Sequence, residues 1–487
     1  MASSKSEDLR FVIIGGGMAG ILSGVKLLES GYENFTIYEK SDGLGGTWKA
    51  NTYPGLQCDV PSHFYSYSFA LNPNWSRRYS GGAEIRDYFE DVAERYGVDS
   101  RVVFDKEIAT ADFVDGRWYL ETTDGDQDAC DFVIAATGVL HHPNIPEFEG
   151  ADSFRGATFH SADWDHTVPI EGKRLGVVGT GSSAVQICCG VTDEVDQLTL
   201  FQRTPQWIMP TENPTFTAEQ QEAFRARPEL MEETRAKVAA AYTDGFANIL
   251  SDADSPILQA THDMCVAHLE DVVADPELRE KLRPNYRAGC KRLVLAEGFY
   301  QALQKPNASV VTSVIERIEP TGVRTRDGDL HELDVLVLAT GFQVDQFVRP
   351  MRVRGREGVE LNAVWDESPS AYMAIAVPKF PNFFMLNGPN GPVGNFSLIE
   401  VVEMQFAYIL QLVDRVAAGE CRSLAPSRQA MDQFDEERKV AAAKTIWGTG
   451  CKSWYLDQSG LPTAWPWTFD RFREEMSRPR IEHYDLG

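Results

Sequence analysis

A chain of 487 residues exceeds what one hydrophobic core usually organises, so two or three domains are expected. With 43% hydrophobic and 24% charged residues it reads as globular rather than disordered. Its 72 acidic side chains outnumber 46 basic ones, a net charge of −26, which speaks against a partner held by its phosphate backbone, so no nucleic acid is expected.

Met1 to Arg10 is polar and leads straight into strand-like sequence, so no secretory segment is expected. No apolar run approaches the ~20 residues that a membrane span needs, and no membrane role is expected. Eight cysteines occur without a C-x-x-C pair, and the adjacent Cys188 and Cys189 are poorly placed for an ordinary disulfide. A reduced, cytoplasmic protein is the simplest expectation.

Phe11-Val-Ile-Ile14 is an apolar run of the kind that forms a buried parallel strand. Gly15-x-Gly17-x-Ala19-Gly20 follows, then a helical pattern through Leu22, Val25 and Leu28, then a second strand that ends in Glu39. Strand, glycine turn, helix, strand and acid make the full context of a dinucleotide site. The glycines let the backbone approach a pyrophosphate at a helix N-terminus, and Glu39 is placed to accept hydrogen bonds from a ribose 2′-OH. Gly45-Gly46-Thr47-Trp48 and Tyr53-Pro54-Gly55-Leu-Gln57-Cys58-Asp59 come next, with Phe64, Tyr65, Tyr67 and Phe69 after them. On their own, these aromatics read as core and Asp59 as a turn carboxylate. The strand Asp131 to Gly138 closes the unit on the small residues Ala136, Thr137 and Gly138, which permit close approach to a ligand.

Phe154 to Asp165 has the spacing F-x-G-x-x-x-H-x-x-x-W-D. After it, Leu175 to Val178 leads into Gly179-Thr180-Gly181-Ser182-Ser183-Ala184, a second glycine turn before a helix and a strand. Gly15 to Glu39 and Gly179 to Arg203 are both 24 positions, so one slot is expected to hold an acid in the first unit and an arginine in the second. An acid suits a free 2′-OH and an arginine suits a 2′-phosphate, which points to FAD (or NAD) first and NADPH second. Thr204 would add a hydroxyl contact. Asp334 to Gly341, ending Ala339-Thr340-Gly341, repeats the closing strand.

The expected fold is α/β, with two dinucleotide-binding (Rossmann-like) domains, the NADP domain nested in the FAD domain, and a helical insertion. The FAD domain would take residues 1–150 and 336–487, the NADP domain 151–210 and 286–335, and the insert 211–285, where Ala, Glu, Arg and Lys dominate without a strand signal. The pair Lys291-Arg292 reads by itself as a solvated face. Phe383 to Asn387 reads as a strand running into a Gly/Pro turn and a helix from Glu400. Trp454, Tyr455, Trp465 and Trp467 read as packing or a ring-stacking surface, with packing the default.

Taken together, these segments resemble the Baeyer–Villiger monooxygenases, class B flavoprotein monooxygenases that turn ketones into esters or lactones. Phe154, Gly156, His160, Trp164 and Asp165 match that family's fingerprint, and the Y-P-G-x-x-C-D, Q-R-T-P, G-C-K-R, A-T-G-F and S-W-Y segments are similar to it as well. The resemblance implies FAD, NADPH and O2, and a C4a-peroxyflavin stabilised by Arg292, with Asp59 pairing with and tuning that arginine. It implies that Lys291, Arg203 and Thr204 contact the NADP 2′-phosphate, that Thr180, Gly181, Ser182 and Ser183 line the pyrophosphate, and that Trp454 contacts NADP. Gly46, Thr47, Trp48, Gln57, Cys58, Asp59, Tyr65, Ile108 and Leu398 would neighbour the flavin nucleotide. Two other activities stay open: sulfur or nitrogen oxidation by the same class, and a non-oxygenating NADPH flavoprotein reductase. A metal site at His160, Asp163 and Asp165 has no recognised spacing. The partner is expected to be a small ketone, and the protein a monomer or homodimer. His160 is expected to anchor a hinge rather than move a proton.

Overall fold

The computed structural model describes residues 9–392, 394 and 396–487. Strands β1 (Phe11–Ile14), β2 (Phe35–Tyr38) and β3 (Val102–Val103) are followed by β4 (Ile108–Val114), β5 (Arg117–Thr122), β6 (Gln127–Cys130) and β7 (Phe132–Ala135). Next come β8 (Ala157–His160), β9 (Arg174–Val178), β10 (Gln197–Phe201), β11 (Ile208–Pro210), β12 (Val294–Ala296) and β13 (Ala308–Val311). The strands β14 (Ile315–Glu319), β15 (Gly322–Thr325), β16 (Leu330–Glu332), β17 (Val335–Leu338), β18 (Arg352–Arg354) and β19 (Phe383–Met385) complete both units.

Two five-stranded parallel sheets result, ordered β19-β7-β1-β2-β3 and β13-β10-β9-β17-β8. They are the same sheet built twice. In each, the strand before the glycine turn (β1, β9) lies between the second strand (β2, β10) and the closing strand (β7, β17). An antiparallel meander precedes each closing strand: β4-β5-β6 in the first unit, β14-β15-β16 in the second. β1, β7 and β17 are buried along their whole length, as expected of apolar runs covered on both faces.

The nested arrangement follows from pairing. β18 pairs with β4 and β19 with β7, so the chain returns to the first unit after building the second. A division at 336 would cut β17, all of which pairs inside the second sheet, so the return falls after Leu338. The helices Ala218–Ala226, Pro228–Tyr242, Pro256–Val272 and Pro276–Leu282 lie between the parallel pair β11 and β12. Their starts are written locally: Thr217 forms a capping box with Gln220, Ser255 and Asp275 cap the last two, and proline opens three of the four.

The expectation of a fully reduced chain is overturned. Cys290 and Cys451 are joined, with Cα atoms 5.3 Å apart. They are separated by 161 positions, so no local spacing announces them. No described helix is long and apolar enough to cross a membrane.

Candidate functional site

Both glycine turns open into one cleft of about 1560 Å³. Of the candidate residues, Gly20 alone does not line it, because it packs beneath the turn against the Gly15 carbonyl. Gly15 (φ +109°) and Gly179 (φ +125°) stand in matching places: an added Cβ would collide with the carbonyl of Ala136 in one unit and of Ala339 in the other. This close approach is what lets each turn sit on the end of its closing strand.

The helices that follow, Met18–Glu29 and Ser182–Val191, have neither an acidic residue in the first turn nor a side-chain cap. Every other described helix of eight or more residues has one or the other. The two nucleotide helices therefore present free N–H groups, which suits a pyrophosphate. Asn387, at the end of β19, lines the same cleft and has a buried Oδ1 without a hydrogen-bond partner. The residues present fit a dinucleotide in each half.

The matched 24-residue count does not mean a matched slot. Gly15 N donates to Tyr38 O and Glu39 N to Val103 O, while Gly179 N donates to Phe201 O and Gln202 N to Val311 O. The counterpart of Glu39 is thus Gln202, and Arg203 lies one residue beyond. Ile14 pairs with Tyr38 but Val178 with Phe201, so the second unit reaches its strand one residue sooner. Glu39 is buried and accepts from Gly16 N (2.6 Å) and Ser41 N (2.8 Å). Gln202 is buried and donates to Lys281 O (2.6 Å). The extra step carries Arg203 to the surface. There, burial and the Arg203 charge hold the Lys291 pKa below its ordinary value. Two neighbouring cations without an ion pair among the described residues, in a chain of net charge −26, make a place for an anion.

Arg292 lies between the halves. Its Nε and Nη2 donate to one oxygen of Asp59 at 3.0 and 2.7 Å, and Nη1 donates to Gly394 O. Burial works against its charge, but Asp59 together with Tyr455 and Tyr242 outweighs burial and holds the guanidinium pKa above its ordinary value. With 27% of the side chain open, the cation is fixed yet accessible. Tyr455 Oη lies 3.5 Å from Gly394 O, and its phenol is pushed up to about 12 chiefly by burial. The phenol of Tyr242, the last residue of its insert helix, is raised by burial and by Asp59. Gln186 accepts from Tyr53 Oη (3.0 Å) and donates to Gln57 O (2.9 Å), tying the second helix to the Asp59 segment. Trp48 Nε1 donates to Tyr65 Oη at 3.1 Å.

Phe154 to Asp165 is a strand and a turn rather than a loose linker. β8 is the edge of the second sheet, paired with β17. Ala162 N donates to His160 Nδ1 (3.1 Å), so the ring proton is on Nε2, which donates to Gly341 O (3.1 Å). Burial lowers the His160 pKa, and both nitrogens are committed. Trp164 is buried edge-on against Phe159 at 5.0 Å, and Asp165 accepts from Thr167 N and Oγ1. His141 and His142 make the same kind of link, through Nε2 to Phe347 O (3.0 Å) and Arg349 O (2.8 Å). His141 and His142 thus join the two connections between the units, and His160 ties the end of β8 to the start of the second connection.

The sequence reading missed Tyr242, Gln186, Asn387 and the part played by Tyr455. A helix end carries no signal for Tyr242, and the S-W-Y segment had packing as its default.

The fold and the site define a two-nucleotide oxidoreductase of the flavoprotein kind. The family model described as pyridine nucleotide-disulphide oxidoreductase matches residues 12–241. An uncharacterised monooxygenase of Mycobacterium bovis is 44% identical over 97% of this chain and 95% of its own. A Baeyer-Villiger monooxygenase of Streptomyces coelicolor is 37% identical over 99% of this chain and 93% of its own. Cyclohexanone monooxygenase from Rhodococcus sp. Phi1, solved bound to NADP+, is similar with a TM-score of 0.88 at 28% identity, over 98% of this chain and 99% of that one. The chain belongs to the Baeyer–Villiger monooxygenase family, as an FAD-containing monooxygenase that uses NADPH and O2.

Proposed function

We propose that the protein inserts one oxygen atom beside the carbonyl of a small ketone to give an ester or lactone, with Arg292 as the catalytic cation and Asp59 as its positioning partner. One observation carries this reading: a guanidinium clamped by Asp59 stands where both nucleotide sites open into the same cleft. FAD in the first half supplies the oxygen-activating ring, and NADPH in the second supplies the reducing hydride.

Arg292 spends three of its five N–H groups on Asp59 and Gly394, leaving two for the reacting oxygen. A guanidinium cannot lose its proton at working pH, so it stabilises negative charge on that oxygen without reorganising. Asp59 fixes the plane of the group through one oxygen and partly balances its charge. The free N–H groups of Met18–Glu29 and Ser182–Val191 would receive the two pyrophosphates. Glu39 would take the ribose hydroxyl in the first half, and Arg203 with Lys291 the 2′-phosphate in the second. Trp454, 41% exposed at the cleft, would cover the bound nucleotide. His141, His142 and His160 would anchor the hinge between the units.

In Arg292→Ala, FAD content and reduction by NADPH should persist while ester formation falls by at least ~100-fold. Full ester yield from that variant, measured by product mass against NADPH consumed, would remove the assignment. A sulfide offered beside the ketone separates soft-nucleophile oxidation from ester formation.

A further inference from the structure

We propose that Cys290 and Cys451 are a reversible thiol–disulfide site, closed by a peroxide and opened by a dithiol, that clamps the Trp454 loop onto the Arg292 segment and so sets how tightly nucleotide is held in the second half. The inference rests on the two-cofactor reading of the cleft.

The placement of the bond carries it. Cys290 immediately precedes Lys291 and Arg292, and Cys451 immediately precedes Lys452, Ser453 and Trp454, all five of which line the cleft. Cys290 closes the helical insert of the second unit, whereas Cys451 belongs to the tail that follows the return to the first. Among the described residues this is the one covalent tie between those two parts. Around it is a small apolar cluster of its own, with Leu250 and Leu258 from the insert and Ile446, Trp447 and Tyr455 from the tail. Tyr455 stacks between Trp454 (4.0 Å) and Trp447 (4.7 Å), so movement of the loop is transmitted to the phenol beside Arg292. The tip of the loop is open, with Trp454 41% exposed.

The other six cysteines are unpaired among the described residues. Burial pushes the thiols of Cys58, Cys130 and Cys188 far up, those of Cys189 and Cys265 to about 11 and about 12, and that of the half-buried Cys421 up as well. They stay protonated and are poor nucleophiles. Both cysteines of the joined pair are buried and neither lines the cleft itself, but each directly precedes residues that do.

The chemistry balances. On closing, the two thiols give up two protons and two electrons as the S–S bond forms, and the peroxide O–O bond takes them and breaks to two waters. On opening, one thiolate of the dithiol attacks a cysteine sulfur and the S–S bond breaks. The second thiol resolves the mixed disulfide, leaving two cysteine thiols and a cyclic disulfide. An enzyme that reduces oxygen works near the oxidant class required.

Closing pre-orders the loop, so nucleotide binding orders fewer side chains, which is worth roughly three- to tenfold in affinity. By linkage, bound NADP+ should shift the thiol–disulfide equilibrium toward the closed form by the same factor. The test uses the FAD-loaded full chain, one half treated with hydrogen peroxide and one with dithiothreitol, both desalted. Peptide mapping without reductant should find the 290–451 cross-link only in the first half. NADP+ should bind roughly three- to tenfold tighter there by equilibrium dialysis, and trypsin should cut at Lys452 more slowly. Cys451→Ser should behave as the reduced protein after either treatment. Absence of the cross-link after peroxide would overturn the proposal, as would a cross-linked protein whose NADP+ affinity and Lys452 cleavage match the reduced form. None of these readouts needs an ester, so failure of the Arg292 assignment and failure of the clamp give different results.

Discussion

The two nucleotide halves share a sheet order, a glycine turn against the closing strand and an uncapped helix, yet they treat the residue after the second strand in opposite ways. In the first half that residue is Glu39, buried and bound by two amides of its own fold. In the second it is Gln202, tied to the insert, and the charged residue is displaced one step into solvent. The acid is therefore part of the fold as well as of the site, whereas Arg203 is free to serve a ligand alone. A duplicated scaffold keeps its backbone contacts, while a one-residue difference in register decides which side chain meets the nucleotide.

The largest expected effect would come from filling the glycine turns. Gly15→Ala should deplete FAD, whereas Gly179→Ala should keep FAD and lose NADPH reduction, because each Cβ strikes a different closing strand at positive φ. Flavin absorbance per protein and the rate of flavin reduction separate them. A Gly179→Ala protein purified without flavin would break the division of labour.

Next is the acid against the arginine. Glu39→Ala leaves two amides unpaired and should destabilise the fold by about 1–3 kcal/mol in denaturant titration. Arg203→Ala should leave stability unchanged and raise KM for NADPH by roughly tenfold to a hundredfold, the worth of a charge-assisted hydrogen bond, with NADH little affected. An equal rise for both nucleotides would refute the 2′-phosphate role.

The smallest effect concerns the joint between the halves. Burial, helped by the charges of His142 and Lys40, holds the His141 pKa down to about 4 from its ordinary 6.5. The unfolded chain binds that proton near 6.5 and the folded chain not until about 4, so its contribution to stability is full above 6.5 and is lost as the pH falls to about 4. His141→Gln should flatten the pH dependence of the urea midpoint in that window. An unchanged slope would remove His141 from the joint.

The sequence by itself determined the halves, their order and the family. A strand, a glycine turn and a helix are encoded within a few consecutive positions, because apolar periodicity and positive φ are local demands. The cap signals of the insert helices were local for the same reason. The fingerprint was legible as a pattern but not as a structure: only pairing of β8 with β17 makes it a sheet edge and commits both nitrogens of His160. Tertiary structure also decided that Arg203 is one step beyond the counterpart of Glu39, that Tyr242 and Tyr455 stand beside Arg292, and that Cys290 reaches Cys451. Those contacts depend on where the chain comes back to after as many as 233 positions, in the case of Arg292 and Asp59, or 161 for the cysteines. No spacing within either segment records that return, because it is fixed by how the two sheets and the insert pack together.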